Sequence, residues 1–213
     1  MRIDVRESRR RALAALVGAA GLLVVLGTGP AAAQTPPDDP VEAIRVRNET
    51  VRSILEAAGD SVDAAERERL KDVINGLIDF DELSRRALTR HWEGLSEQER
   101  RDFVDVFRGL VRNSSVKKLG AYRADSIEYE PARIRDSSAI VLTVAWKDGK
   151  SAEVEYRLHR AAGEWKAWDV IVDGSSTVRT YRDSFDRQIE KSSYAELYRK
   201  LSDKLAEEEE EAG

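Results

Sequence analysis

His91 and His159 are the only two imidazoles in this 213-residue chain, and it holds no cysteine. A structural zinc site needs four ligands and a catalytic one three, so two isolated histidines without a matching third ligand read as surface groups. The missing cysteines remove disulfides, thiolate metal sites, iron–sulfur clusters and thiol catalysis. They also remove the lipid-bearing cysteine of a bacterial lipoprotein, and beyond Met1 the chain contains no sulfur. No Gly-x-Ser-x-Gly elbow, His-Glu-x-x-His helix or dinucleotide-type glycine pattern is present. Gly149-Lys150-Ser151 imitates the end of a phosphate-binding loop, but Val144 stands where that loop needs its first glycine. Asp79 and Asp81 flank Phe80 at a helix start, where carboxylates stabilise the helix dipole. Acids are abundant without forming a recognisable acid–base dyad. The residue types point away from an enzyme, and no metal or cofactor is expected.

The first thirty-three residues read as an export signal. Arg2, Arg6, Arg9, Arg10 and Arg11 precede an uncharged stretch from Ala12, and Gly27, Gly29 and Pro30 lead into Ala31-Ala32-Ala33. A basic start, an apolar run, helix breakers and an Ala-x-Ala site make up a secretory signal, cleaved after Ala33. The competing reading is an uncleaved anchor, because Ala12 to Ala33 is long enough to span a bilayer. Ser8-Arg9-Arg10-Arg11-Ala12-Leu13 also resembles a twin-arginine motif, leaving that route open beside the general secretory one. Cleavage takes five arginines and two acids from the formal charge of −5, leaving −8. So acidic a body argues against nucleic-acid binding and lasting adhesion to anionic membranes. A soluble exported protein is the expectation.

Residues 34–40, with three prolines, form a flexible leader. Helical spacing follows: Ile44, Val51, Ile54 and Leu55 to Ala58, then a helix capped by Ser61 reaching about Leu77, then Phe80 to His91. Ser96 and Glu99 form a capping box that opens a helix with Phe103, Val106, Phe107, Leu110 and Val111 on one stripe. After Tyr122 the period falls to two. Ile140, Leu142, Val144 and Trp146 alternate with smaller residues, and Asp148-Gly149 is a hairpin turn. Ala152, Val154, Tyr156 and Leu158 form the dry face of the next strand, and Trp168, Val170 and Val172 share a face on a third. Ile127–Tyr129 and Arg133–Arg135 read as an edge strand split by Pro131. Val178, Tyr181, Phe185 and Ile189 return to helical spacing, and Ser193 caps a last helix ending in the acidic tail 207–213. Helices, an antiparallel meander and returning helices predict one α+β domain over 41–206, its helices packed on a twisted antiparallel sheet whose apolar face is either a filled core or, as the resemblance below implies, an apolar pocket.

A family resemblance adds what periodicity lacks. The run from Trp165-Lys166-Ala167-Trp168-Asp169-Val170 through Asp173-Gly174-Ser175 to Tyr181-Arg182 and Phe185 resembles a signature of the MlaC family. Ile78-Asp79-Phe80-Asp81 through His91-Trp92, Glu97-Gln98-Glu99-Arg100 with Phe103, and Val154-Glu155-Tyr156-Arg157-Leu158 are similar to three more of its segments, in the same order. Together they cover about residues 41–204. Ser175 stands where Val is usual, Thr177 where Leu or Met is usual, and Asn113-Ser114-Ser115 replaces a Thr-Tyr pair.

The resemblance implies a periplasmic phospholipid shuttle between an outer-membrane lipoprotein–porin complex and an inner-membrane MCE-type ABC transporter, maintaining outer-membrane lipid asymmetry. Inward face and family position together assign acyl-chain contacts to Leu142, Val144, Trp146, Val154, Tyr156, Trp168, Val170, Val178, Tyr181 and Phe185. Arg182 is placed at the pocket mouth or on a partner surface, with a plain surface ion pair as its alternative. A headgroup left in water implies little headgroup recognition. Two other readings stay open: a carrier of hopanoid or other terpenoid lipid, and a small periplasmic enzyme using a pocket acid such as Asp169.

Overall fold

The computed structural model describes residues 38–59, 61–116 and 123–211. The expected signal, residues 1–33, lies outside them. Four helices come first: α1 (Pro40–Ala58), α2 (Ala64–Asn75), α3 (Phe80–Leu88) and α4 (Glu97–Val116). Six strands follow: β1 (Ser126–Tyr129), β2 (Arg133–Arg135), β3 (Ser138–Lys147), β4 (Lys150–Ala161), β5 (Glu164–Val172) and β6 (Ser175–Ser176). Then come α5 (Thr177–Lys191) and α6 (Tyr194–Glu210). The fold is α+β.

Local chemistry sets the helix ends. Pro40 is already helical, because proline suits the first helical position and the Val41 amide donates to the Asp39 carboxylate at 2.8 Å. The α2 cap is Asp63 rather than Ser61: Asp63 and Glu66 close a reciprocal capping box at 2.8 and 2.9 Å. The third helix stops at Leu88, and His91 falls in a short 3₁₀ helix, Thr89–Gly94. Ser96 and Glu99 box the start of α4, each accepting from the other's backbone amide.

The strands pair antiparallel in the order β1-β3-β4-β5-β6, with β2 also on β3. Asp148 and Gly149 both adopt positive φ, 50° and 72°, which suits the two-residue turn that matches strand twist. The turn sets Ala145 opposite Ala152, Thr143 opposite Val154 and Val141 opposite Tyr156. Directly opposed residues share a face, so the dry face of β4 continues through the odd-numbered residues of β3. A bulge breaks the β4–β5 register between Arg157 and Leu158, leaving Trp168 without a Cα partner. There the α2–α3 linker bonds to β5: the Asp79 amide donates to the Ala167 carbonyl, and the Ala167 amide donates to that of Leu77.

Three apolar clusters hold these layers. Ile44 of α1 packs with Ala139, Val141, Leu158 and Ala167 of the sheet. Val51, Ile54 and Leu55 meet Leu70 of α2. The largest cluster joins α3, α4, α5 and α6 around Phe103, Phe107, Val178, Phe185 and Leu197. The Phe107 ring lies edge-on to Tyr181 at 4.7 Å and to Phe185 at 5.4 Å, a geometry that adds about 0.5–1.5 kcal/mol per pair beyond burial. No helix among the described residues is long and apolar enough to cross a membrane. Because Phe107 is fully buried, Phe107→Ala is expected to lower unfolding stability by about 3–5 kcal/mol in urea titration. A loss below about 1 kcal/mol would show that this cluster does not hold the helices together.

Candidate functional site

A cavity of about 850 Å³ opens between the inner face of the sheet and helices α1, α2, α4 and α5. Ile44, Asn48 and Val51 of α1 line one side, with Ile74 and Asn75 of α2. Thr143, Ala145, Ala152, Val154 and Tyr156 form the floor. Val111, Ser114 and Ser115 of α4 and Thr177, Thr180 and Tyr181 of α5 close the far wall. The space exists because Thr143 and Ala145 of β3 and Ala152 of β4 are short where a filled core would carry longer side chains. Exposed lining residues Lys147, Lys150, Ser151, Val172 and Ser175 place the mouth at the β3–β4 turn and the β5–β6 corner.

The polar groups in the walls are largely committed to the protein. Asn48 Nδ2 donates to Tyr129 Oη at 3.1 Å, and Asn75 Nδ2 to Ser115 Oγ at 3.0 Å and to the Lys71 carbonyl at 2.7 Å. Thr177 Oγ1 donates to the Val170 carbonyl at 2.8 Å. Asp169, only 2% exposed, accepts from Ser176 Oγ at 2.7 Å and from the Val178 amide at 3.0 Å. Both carboxylate oxygens are thereby engaged in fixing the start of α5, which is an anchoring role rather than an acid–base one. Burial pushes the Tyr181 phenol above its ordinary value, with the Ser114 hydroxyl opposing the shift. Glu82 is held below the usual carboxylate range, first by its hydrogen bonds from Arg85 and then by the Arg86 charge. The Glu82–Arg86 pair steadies the Arg86 guanidinium 3.9 Å over the Trp168 ring.

Five of the expected contact residues line the cavity: Val154, Tyr156, Trp168, Val170 and Tyr181. Five do not. Leu142, Val144 and Trp146 lie on the opposite face of β3, since the register gives the inner face to Val141, Thr143 and Ala145. Val178 and Phe185 are buried in the helical cluster, where α5 meets α3 and α4. Arg182 pairs with neighbouring Asp183 at 3.4 Å and lies off the cavity, the plain surface-pair alternative. The histidines are more engaged than isolated surface groups: His91 meets Asp186 and His159 meets Asp79, both at 2.9 Å. Among the described residues no cluster of three or more His, Cys, Asp or Glu is placed to hold a metal.

Ser114 and Ser115, part of the segment that departs from the family pattern, do line the cavity, but sequence reasoning missed the α1 wall, Ile44, Asn48 and Val51. Their apolar spacing marked α1 as packed without saying against what. It also missed Thr143 and Ala145, although one signal identified them. A two-residue turn at Asp148-Gly149 sets them opposite Val154 and Ala152 on the dry face of β4.

The family model described as MlaC protein matches residues 45–203. A toluene tolerance protein of Pseudomonas putida is 25% identical over 178 residues, covering 78% of this chain and 79% of that protein. A phospholipid-binding protein from Ralstonia solanacearum, solved in complex with a phospholipid, superposes with a TM-score of 0.66 at 21% identity. That likeness spans 78% of this chain and 94% of the other, and it shows a shared fold.

The cavity's geometry predicts a face-specific response to substitution. Ala145→Trp is expected to cut the capacity for an apolar fluorescent probe by half or more, while Val144→Ala, on the outer face, leaves it unchanged. Fluorescence titration reads both. Equal capacity in Ala145→Trp and the wild type would place the probe elsewhere.

Proposed function

This chain belongs to the MlaC family, and from that premise we propose that it is a periplasmic phospholipid carrier holding acyl chains in the cavity behind β3 and β4. The carrying observation is the cavity itself, about 850 Å³ and mostly apolar in its lining residues. At the roughly 30 Å³ that a water-sized group occupies, it has room for on the order of thirty methylenes, about two acyl chains. Moving that many methylenes from a bilayer into water costs about 25 kcal/mol at about 0.8 kcal/mol each, so a carrier must enclose most of them. The phospholipid named in the Ralstonia solanacearum complex supports the same ligand class.

The finer parts of the reading follow from the family. The chain is exported by the signal in residues 1–33, by the general secretory or the twin-arginine route. It shuttles lipid between an outer-membrane lipoprotein–porin complex and an inner-membrane MCE-type ABC transporter, and so maintains outer-membrane lipid asymmetry. It makes and breaks no bond: Asp169, the acid offered for a pocket enzyme, is consumed by Ser176 and Val178. Ser175 and Thr177 both line the cavity, which keeps a carrier of hopanoid or other terpenoid lipid as the second reading.

Solvent extraction of the purified chain, followed by mass spectrometry, is expected to yield about one phospholipid per protein. A terpenoid mass would favour the second reading. Lipid-free protein that also takes no lipid from vesicles would rule out both.

A further inference from the structure

We propose that Lys147 and Lys150 form a charge filter at the cavity mouth that favours amphiphiles carrying a net anionic head. The proposal rests on the phospholipid-carrier reading and deepens it by naming the class of headgroup. The two lysines are direct cross-strand partners on either side of the Asp148-Gly149 turn. Both are exposed, and both line the cavity. Directly opposed residues have Cβ atoms about 4.5–5.5 Å apart, and like charges placed there destabilise a sheet. Neither ammonium has an ion-pair or hydrogen-bond partner among the described residues. By contrast, Arg85 and Arg86 are matched with Glu82, and Arg199 with Glu196 and Asp203.

Two acids stand near this pair without binding it. Asp148, at the turn itself, also lines the mouth and offsets one of the two charges. The carboxylate of Asp125 accepts the Asp148 amide at 2.9 Å, which pins the turn in place. Asp125 keeps its own charge, so the two acids match the two lysines in number, but neither carboxylate forms an ion pair with Lys147 or Lys150 among the described residues, and the ammonium groups stay open to a ligand on a chain whose formal net charge is −5. A ligand with its chains among Val154, Tyr156 and Trp168 leaves its head beside the hairpin tip. An anionic head placed between the two ammonium groups relieves their repulsion. A zwitterionic head brings its own cation there and relieves less. Both lysines are in water, so selection is by charge without a fitted head pocket, and salt weakens it.

The test loads the full chain from vesicles of equimolar phosphatidylglycerol and phosphatidylethanolamine with identical acyl chains, then measures the ratio of bound lipids by extraction and mass spectrometry. The wild type is expected to enrich phosphatidylglycerol on the order of three- to tenfold at low salt, as two exposed ion contacts allow. The ratio is expected to fall towards one in K147Q/K150Q, and in the wild type at high salt. A wild-type ratio of one, or enrichment that persists in K147Q/K150Q, overturns the filter while leaving the carrier reading intact. A wild type that takes up neither lipid defeats the carrier reading, and the filter with it. Inorganic phosphate is titrated calorimetrically in parallel, with no saturable binding expected at millimolar concentration. Saturable binding would assign the lysines to a free anion and overturn a lipid-head role.

Discussion

The pairing of β3 with β4 across a two-residue turn decides which side chains face the cavity. Once Asp148 and Gly149 occupy the turn, each residue of β3 has one partner on β4, and a slip of one position would exchange the two faces. The register turns Thr143, Ala145 and Ala152 inward. Ile140, Leu142, Val144 and Trp146 are thereby turned out, half-buried or exposed. Short side chains inward leave a volume that the helices roof over without filling. An apolar void of 850 Å³ would cost about 20 kcal/mol at about 24 cal/mol per Å³, more than the roughly 5–15 kcal/mol by which folded domains are stable. Such a space has to be occupied. An open mouth admits water, and an acyl chain that displaces it supplies the apolar contacts the walls lack.

The fold tolerates an unfilled sheet because its densest packing lies elsewhere. Phe103, Phe107, Phe185 and Leu197 are buried among α3, α4, α5 and α6. Tyr181 belongs to both regions, with one side of its ring against Phe107 and the other part of the side chain in the cavity wall. Asp169 couples the two in another way, binding the first turn of α5 to β5 through Ser176 and the Val178 amide. The cavity wall is thus carried by a helical unit with a core of its own, so a ligand can enter and leave without dismantling that core.

Much of this was legible in the sequence. Helical periodicity, the Ser96–Glu99 box and the Asp148-Gly149 turn placed the main elements, because each depends on contacts within a few residues. The β4 face was legible for the same reason: Val154 and Tyr156 alternate with Glu153 and Glu155. The β3 face is not legible in the same way, because bulk does not mark its interior. In a sheet built to leave room, the interior takes the smaller partner, so Leu142, Val144 and Trp146 face outward although their bulk predicts the inner face. Val178 and Phe185 misled differently. Their helical stripe is apolar whether it faces a ligand or another helix, and only the long-range packing of α5 on α4 separates those cases. The α1 wall was out of reach for the same cause, since nothing local says that Asn48 will meet Tyr129, 81 residues away.

The central claim is that acyl chains occupy the volume bounded by the inner faces of β3, β4 and β5. The most direct measurement is photocrosslinking with a phospholipid that carries a diazirine near the end of one acyl chain, with adducts mapped by peptide mass spectrometry. Adducts are predicted on the cavity residues Val154, Tyr156, Trp168 and Tyr181, and not on Leu142, Val144 or Trp146 of the opposite face. Adducts concentrated on the outer face of β3, with the cavity residues unlabelled, would contradict the account.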